Sequence, residues 1–378
     1  MPLDQLSIEE NTPLRDLTTF GIGGPARYYL RADSVDALIR ALQAAQRECV
    51  PCFILGGGSN VLVSDRGFDG LVIHVATAGI TTLAEDAESI TLQVAAGEVW
   101  DQFVAATTRA GWWGVENLSL IPGRVGAFPI QNVGAYGQEA GDVVQSVQVW
   151  DRESGMVKTL TNSDCHFGYR SSIFNTTHRG RYVILHVIIR LNKQGRPNLS
   201  YRGLREYFDE TPTTPGQMRT AVIHIREQKL PDPDVVGSAG SFFKNVILDA
   251  DEFSHLQVYV RERLSAESIT KLAGFRERYP SPTGIKIPTA FLIQACGMGA
   301  ASLGGAALSP QHALILTNAS GDATADDVMR LARRVRQSIY QKTGLVIHLE
   351  PTLVGFSREE MDAYLSLSAS PGDVARSG

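Results

Sequence analysis

Apolar residues recur at helix and strand spacing along most of the chain, and the clearest run lies near its C-terminal end. Val328, Leu331, Ala332, Val335 and Ile339 share one face, Thr324 and Asp327 form a capping box ahead of them, and Gly344 stands just past the last of them, which predicts a long helix. A strand over 345–349 is expected next. Towards the N-terminus, Ser34 caps a second helical stripe of Val35, Leu38, Ile39 and Leu42. Strands at 52–55, 61–63 and 71–74, with a turn at 65–67, would complete a small α/β unit with it. Alternation at Ile90, Leu92 and Val94, a helix over 100–110, a hairpin of 147–151 with 157–160 and a strand over 182–191 predict a second α+β region. Thr214 and Pro215 then open a helix with Met218, Ala221, Val222 and Ile225 on one face, which marks the start of a third region. Beyond Phe356 the chain turns polar and small, as a fraying end does.

Composition narrows the class. At 378 residues the chain exceeds the ~100–200 of one ordinary domain, so more than one core is expected. Hydrophobic residues at 43% and charged residues at 20% suit compact cores rather than a disordered chain. Thirty-five Lys+Arg against 40 Asp+Glu give a net charge of -5 with no basic block, which argues against a nucleic-acid partner. No apolar run reaches the ~18–20 residues of a membrane span, and the start, MPLDQLSIEEN, is acidic where a signal peptide is basic. A cytoplasmic protein without a membrane partner is expected. Four cysteines are too few for a disulfide framework. Cys49 and Cys52 form a C-x-x-C that reads either as ordinary packing or as a redox or half-zinc pair. The eight histidines form no H-x-x-x-H, so no metal is expected.

Glycine is concentrated rather than spread. PCFILGGGSN sets three glycines, Ser59 and Asn60 directly after an apolar strand, where consecutive N–H groups form an anion-binding concavity or else a tight hairpin. The next element is a strand, which excludes the dinucleotide fingerprint and the P-loop, both of which open a helix. The passage 120–137, LIPGRVGAFPIQNVGAYG, is long, nearly uncharged and without a regular pattern; such a loop suits the wall of a pocket for a large flat ligand. CHFGYRSSIF presents Arg170, and KLPDPDVVGSAGSFFKN presents Ser241 in a glycine-flanked turn. Ser241 lacks the G-x-S-x-G elbow of a hydrolase nucleophile and reads equally as a turn serine.

Taken in order, NTPLRDLTTFGIGGPA, ILGGGSNVLVSD, ENLSLIPGRVGAFPIQNVGAYG, FGYRSSIF, KLPDPDVVGSAGSFFKN and GGAALSPQHALILTN resemble the UDP-N-acetylenolpyruvoylglucosamine reductase (MurB) family from about residue 11 to residue 355. The resemblance implies an α+β protein: a two-part FAD-binding fold of the vanillyl-alcohol-oxidase-like type plus a C-terminal α+β substrate-binding domain. Its parts would be FAD-binding subdomains at 1–75 and 76–220, the second joined by 348–360, a substrate-binding domain at 221–347, and a polar tail at 361–378. FAD and NADPH would serve the reduction of a nucleotide-sugar, UDP-N-acetylglucosamine enolpyruvate, in peptidoglycan synthesis, by a monomer. A related FAD-dependent oxidase of an alcohol or hydroxy acid, or a catalytically impaired flavin-binding homologue, is the alternative.

Carried over by position, Gly56, Gly58, Ser59, Asn60, Pro122, Gly123, Gln131, Asn132, Gly134, Ala135, Tyr136 and Gly137 would bind FAD. Tyr201, Arg226, Lys229, Asn245 and Gln294 would bind substrate, and Arg170, Ser241 and Glu350 would be catalytic. Local text around His348-Leu349-Glu350-Pro351-Thr352 favours Thr352 for the acid position, whereas ungapped counting favours Glu350. Arg124 and Phe128 are bulkier than the resemblance leads one to expect in the loop, and Val246 replaces a proline.

Overall fold

The computed structural model describes residues 3–278, 280–281 and 284–368. Its contacts divide the chain into two units, Met1–Thr12 with Ala26–Gly58 and Asp69–Lys229, and Pro13–Pro25 with Ser59–Phe68 and Leu230–Gly378.

The first unit contains two sheets. One has the order Glu9–Pro13, Pro25–Ala32, Phe68–Val75, Cys52–Leu55. The predicted helix, Val35–Arg47, is capped where Ser34 accepts the Ala37 N–H, and it buries Leu38, Ala41, Leu42 and Ala45. The other sheet has the order Met156–Thr161, Val144–Asp151, Tyr182–Asn192, Ser89–Ala95, Ile80–Glu85. Tyr182–Asn192 is flanked on both sides, with Val187 opposite both Val147 and Val94, which explains its nearly continuous apolar run. His186, the interruption in that run, meets Gln148 Oε1 through Nδ1 at 2.8 Å. The Pro215–Lys229 helix packs Met218, Ala221, Val222 and Ile225 against Trp113 and Leu204. It therefore belongs to this unit and does not open a third region.

The second unit is built on a sheet of order Ser238–Ser241, Ile315–Asn318, Ala306–Leu308, Ser302–Leu303, and a smaller one of order Val246–Leu248, Gly284–Ile287, Pro280–Ser281. Its long helix, Ala325–Thr343, has the predicted ends: Thr324 and Asp327 cap each other's N–H groups, and Gly344 turns left-handed at φ +73°. Three expectations fail here. Residues 345–349 form no strand. The buried Arg336 donates from Nε to the Ile347 carbonyl at 3.0 Å, occupying a group that a ladder partner would need, and from Nη1 to Leu365 O at 2.8 Å. Val61–Val63 pairs in parallel with Thr352–Val354, so it belongs to this unit and not to the small N-terminal one. The segment after Phe356 does not simply fray, because Ser357 and Glu360 box the start of a helix, Arg358–Leu365. The rest of the expected tail, 369–378, lies outside the described residues.

Candidate active site

The strand Cys52–Leu55 runs parallel to Phe68–Val75, with Leu55 opposite His74, and delivers the chain to Gly56. Val61–Val63, on the far side of the GGGSN turn, pairs with Thr352–Val354. The flanking strands do not pair with each other, so the tight-hairpin reading of the turn is excluded. At Gly57 a side chain is impossible without movement: a Cβ there would lie 2.7 Å from Gly123 Cα. At Gly56 the same test meets only Ala127 and Arg124 carbons at 3.8 Å. The turn is thus pressed onto the 120–137 loop at Gly57 and packed at ordinary contact distance against the same loop at Gly56, and its run of glycine N–H groups forms a cradle that fits the diphosphate of a dinucleotide such as FAD.

The loop itself is over-determined by its neighbours. Trp100 N–H donates to Gly123 O at 3.1 Å, Val125 N–H to Glu98 O at 2.9 Å, and Gly126 N–H to Ala96 O at 2.8 Å. Ser172 Oγ donates to Ile130 O at 2.6 Å, and Arg170 Nη2 to Gly134 O at 2.6 Å. Leu120, Asn132, Tyr136 and Arg170 all have left-handed φ, between +46° and +58°. Such residues cost about 1–3 kcal/mol each and persist where surrounding bonds fix them. The Asn132 amide is occupied in this fixing: Nδ2 donates to Glu139 Oε2 and Gly168 O, and Oδ1 accepts from Gly141 N–H. What it leaves to a ligand is backbone. Pro122, Gln131 and Ala135 lie on the same loop, Pro122 exposed and the other two half-buried, while Gly137 O accepts from Asn198 Nδ2 at 2.7 Å. Phe128 stacks on Trp100 at 3.6 Å in the core and so does not crowd the cradle.

Three residues absent from the expected site, Asn117, Asp101 and Arg219, are bonded to this loop or to one another. Asn117 Nδ2 donates to Tyr136 O at 2.8 Å and Asn198 O at 2.9 Å, and among the described residues its buried Oδ1 has no partner. Asp101 accepts the Leu120 N–H and is gripped by Arg219. Burial pushes the Asp101 carboxyl up, but the Arg219 guanidinium and the Leu120 N–H outweigh it and hold it below the usual range. Only Asn117 carries a local signal, an amide set between the apolar Val115 and Leu118.

Three of the five expected substrate residues, Tyr201, Arg226 and Lys229, lie in the same unit. The Tyr136 ring meets Tyr201 edge-on at 4.9 Å, and Lys229 Nζ lies 3.4 Å from Tyr201 Oη and over its ring. Arg226 faces Tyr136; burial lowers its guanidinium, and its buried Nε has no partner among the described residues. Two orphaned polar atoms, one on Asn117 and one on Arg226, mark a surface shaped for something polar.

In the second unit, Phe242–Lys244 runs antiparallel to His348–Glu350. Glu350 N–H donates to Phe242 O at 3.0 Å, Lys244 N–H donates to His348 O at 2.9 Å, and Phe243 bridges Leu349. Ser241 closes the strand Ser238–Ser241 immediately before this contact, after Gly240 at φ +67°. Ser241 and Glu350, 109 residues apart in sequence, are thereby set on adjoining backbone. Thr352 instead donates its N–H to Asn60 O at 2.9 Å, in the pairing with Val61–Val63. Asn245 Oδ1 accepts the Thr289 N–H at 3.0 Å, at the start of the helix Thr289–Ala295 that carries the exposed Gln294. Val246 takes an ordinary place in a ladder opposite Ile287. Among the described residues no cluster of three or more His, Cys, Asp or Glu could hold a metal, and no helix is long and apolar enough to cross a membrane.

Comparison with known proteins agrees with this geometry. A family described as FAD binding domain matches residues 26–161, and one described as UDP-N-acetylenolpyruvoylglucosamine reductase, C-terminal domain, matches residues 232–354. The chain is 40% identical over 363 residues to the UDP-N-acetylenolpyruvoylglucosamine reductase of Thermobifida fusca, covering 92% of this chain and 98% of that one. It is 37% identical over 349 residues to that of Neisseria gonorrhoeae, covering 91% and 96%. The solved MurB structure from Thermus caldophilus, at 24% identity, shares the fold with a TM-score of 0.61 over 93% of this chain and 99% of that one. With relatives this similar along almost their whole length, and with the glycine cradle and its loop in place, the chain belongs to the UDP-N-acetylenolpyruvoylglucosamine reductase family.

Proposed function

We propose that this protein reduces UDP-N-acetylglucosamine enolpyruvate to UDP-N-acetylmuramate, with NADPH as reductant, as a cytoplasmic monomer in peptidoglycan synthesis, and so in cell shape and division. The reductase name of the relatives favours this over the oxidase alternative. FAD is held by Gly56, Gly58, Ser59 and Asn60 of the turn and by Pro122, Gly123, Gln131, Asn132, Gly134, Ala135, Tyr136 and Gly137 of the loop, chiefly through backbone. When bound, it supplies hydride, drawn from NADPH, to the terminal carbon of the enolpyruvyl group.

The chain's own part is electrostatic and protic. Negative charge gathers on the substrate carboxylate as the hydride adds, and a preorganised donor at such a charge is worth about 3–4 kcal/mol. Arg170 fills this role, its guanidinium held by Gly134 O and set over the Tyr169 ring at 5.3 Å. Glu350 assists, as a donor only when protonated. Ser241 gives the proton to the adjacent carbon, a step worth about 10²–10⁴-fold. Tyr201 and Lys229 take the substrate diphosphate, and Arg226, Asn245 and Gln294 take the nucleotide-sugar.

The observation that carries this reading is the antiparallel contact of Phe242–Lys244 with His348–Glu350, which brings the proton donor and the acid onto neighbouring backbone. The test is direct. Purified protein should be yellow, and its oxidation of NADPH should accelerate on adding the enolpyruvyl nucleotide. A colourless protein, or oxygen consumption with a simple alcohol in place of the nucleotide, would end it.

A further inference from the structure

The first unit sets charged and titratable groups near the ends of the two inner strands of its first sheet, Pro25–Ala32 and Phe68–Val75. His74 lies opposite Leu55, the residue before Gly56. Tyr29 on the neighbouring strand meets His74 Nδ1 through its hydroxyl at 2.9 Å. Arg31, two residues along that strand, lies on the same face as Tyr29. From the other side comes Arg124, whose Cβ and Cγ lie 3.8 Å from where a Gly56 side chain would start, and whose Nη1 donates to Gly97 O at 3.0 Å.

These groups feel one another. Burial first, then Arg124 and Arg31, push His74 down to about 4, so it is neutral near pH 7. Burial and Arg31 likewise lower Arg124, with Glu98 opposing. Glu98 is itself engaged, accepting the Gly79 N–H at 2.6 Å. Arg31 repels the Arg124 guanidinium, and a doubly charged anion beside Arg124 and the glycine turn would relieve that repulsion.

We propose that Arg124, supported by Arg31, binds the diphosphate of FAD at the Gly56–Gly57 side of the turn, adding a cationic clamp to the backbone N–H cradle. This rests on the proposed FAD binding and names the residues that give this chain its affinity for the cofactor's charged centre. Arg124 is bulky for its place in the loop, yet its Cβ and Cγ reach the Gly56 position at ordinary contact distance. No bond is made or broken in this step.

The test uses full-length protein stripped of flavin. Affinities for FAD and for riboflavin, which lacks the diphosphate, are read from flavin fluorescence in wild type, Arg124→Gln and Arg31→Gln, with the melting temperature of each apoprotein as a control. Arg124→Gln should weaken FAD about 10–100-fold, the range of a charge-assisted hydrogen bond. Riboflavin affinity and apoprotein melting should stay unchanged. Arg31, exposed on its strand, should give a smaller loss in the same direction, and Arg124→Lys should recover part of the affinity. FAD and riboflavin weakened equally, or FAD affinity unchanged in both glutamine variants, would overturn the clamp while leaving the cofactor reading intact. A wild type that binds neither flavin would overturn both.

Discussion

Arg219 holds Asp101 through two parallel hydrogen bonds, Nη1 to Oδ1 at 2.6 Å and Nη2 to Oδ2 at 2.8 Å. The same carboxylate accepts the N–H of Leu120, which stands at the head of the glycine-rich loop in a left-handed conformation. The pair therefore ties the Pro215–Lys229 helix to the start of the glycine-rich loop.

Asp101→Asn keeps the shape and removes the charge. A loss of about 1.5–3 kcal/mol in urea unfolding is expected, towards the lower end because both side chains are partly exposed. Arg219→Gln should lose a similar amount, and the double variant less than the sum. The sign with pH is set by the depressed carboxyl. Its contribution is complete above the unfolded value of about 3.9 and is lost as pH falls through the lower folded value. The deficit of the variant should shrink at acid pH. A deficit that stays constant from pH 7 to pH 3 would remove the ion pair as its source.

Gly56 and Gly57 separate fold from ligand. Gly57→Ala forces a Cβ to 2.7 Å from Gly123 Cα, a backbone atom that cannot swing aside. It should destabilise the protein by about 1–3 kcal/mol and lose FAD with it. Gly56→Ala meets nothing nearer than 3.8 Å in the protein itself. Its unfolding midpoint should match wild type while FAD affinity falls, because the added methyl narrows the space between the turn and the Ala127 and Arg124 side chains. Equal FAD affinity in Gly56→Ala and wild type would show that the cradle faces elsewhere.

Short-range features are the ones legible in the sequence. The Ser34 cap, the Thr324–Asp327 box and the strand Cys52–Leu55 are set by residues a few positions apart, and all three stand in the structure. The pairing of Val61–Val63 with Thr352–Val354 depends on a partner nearly the whole chain away, so proximity in sequence assigned it to the wrong unit. Leu345, Ile347 and Leu349 alternate as a strand does, but burial of Ile347 under the long helix and capture of its carbonyl by Arg336 satisfy the same pattern without a ladder. The site divides likewise. The GGG turn is legible because three glycines have few uses, whereas Asp101 and Arg219, 118 positions apart, look like any two surface charges. Asn132 shows the converse, a residue singled out as a ligand whose amide is spent on Glu139, Gly168 and Gly141.

Glu350 and Thr352 lie two positions apart, a spacing at which alternation in the sequence cannot tell them apart. Their backbone partners differ: Glu350 bonds to Phe242, next to Ser241, while Thr352 bonds to Asn60. Glu350→Ala should therefore lower kcat for substrate reduction by about 10²–10³-fold with FAD retained, the usual cost of losing a donor at developing charge. Thr352→Val should change kcat by no more than a few fold. Steady-state rates of the two variants at saturating NADPH decide it, and a large loss confined to Thr352→Val would move the acid two residues along.

Ser241 is set by a strand that turns at Gly240 and by the Phe242 N–H bond to Leu314 O at 2.7 Å, so its hydroxyl is carried on fixed backbone. A hydroxyl is a weak acid, and in the proposed role it would suffice because the carbon it serves becomes strongly basic once hydride has arrived. That separates the two half-reactions. In Ser241→Ala, reduction of the bound flavin by NADPH should proceed at the wild-type rate, since no proton from Ser241 is used there. Reoxidation by the enolpyruvyl nucleotide should slow about 10²–10⁴-fold, the range of a positioned general acid. Ser241→Cys should recover part of it, having a proton at nearly the same place. Stopped-flow absorbance of the flavin follows each half separately. Equal losses in both halves would make Ser241 a structural turn residue and leave the proton to come from elsewhere.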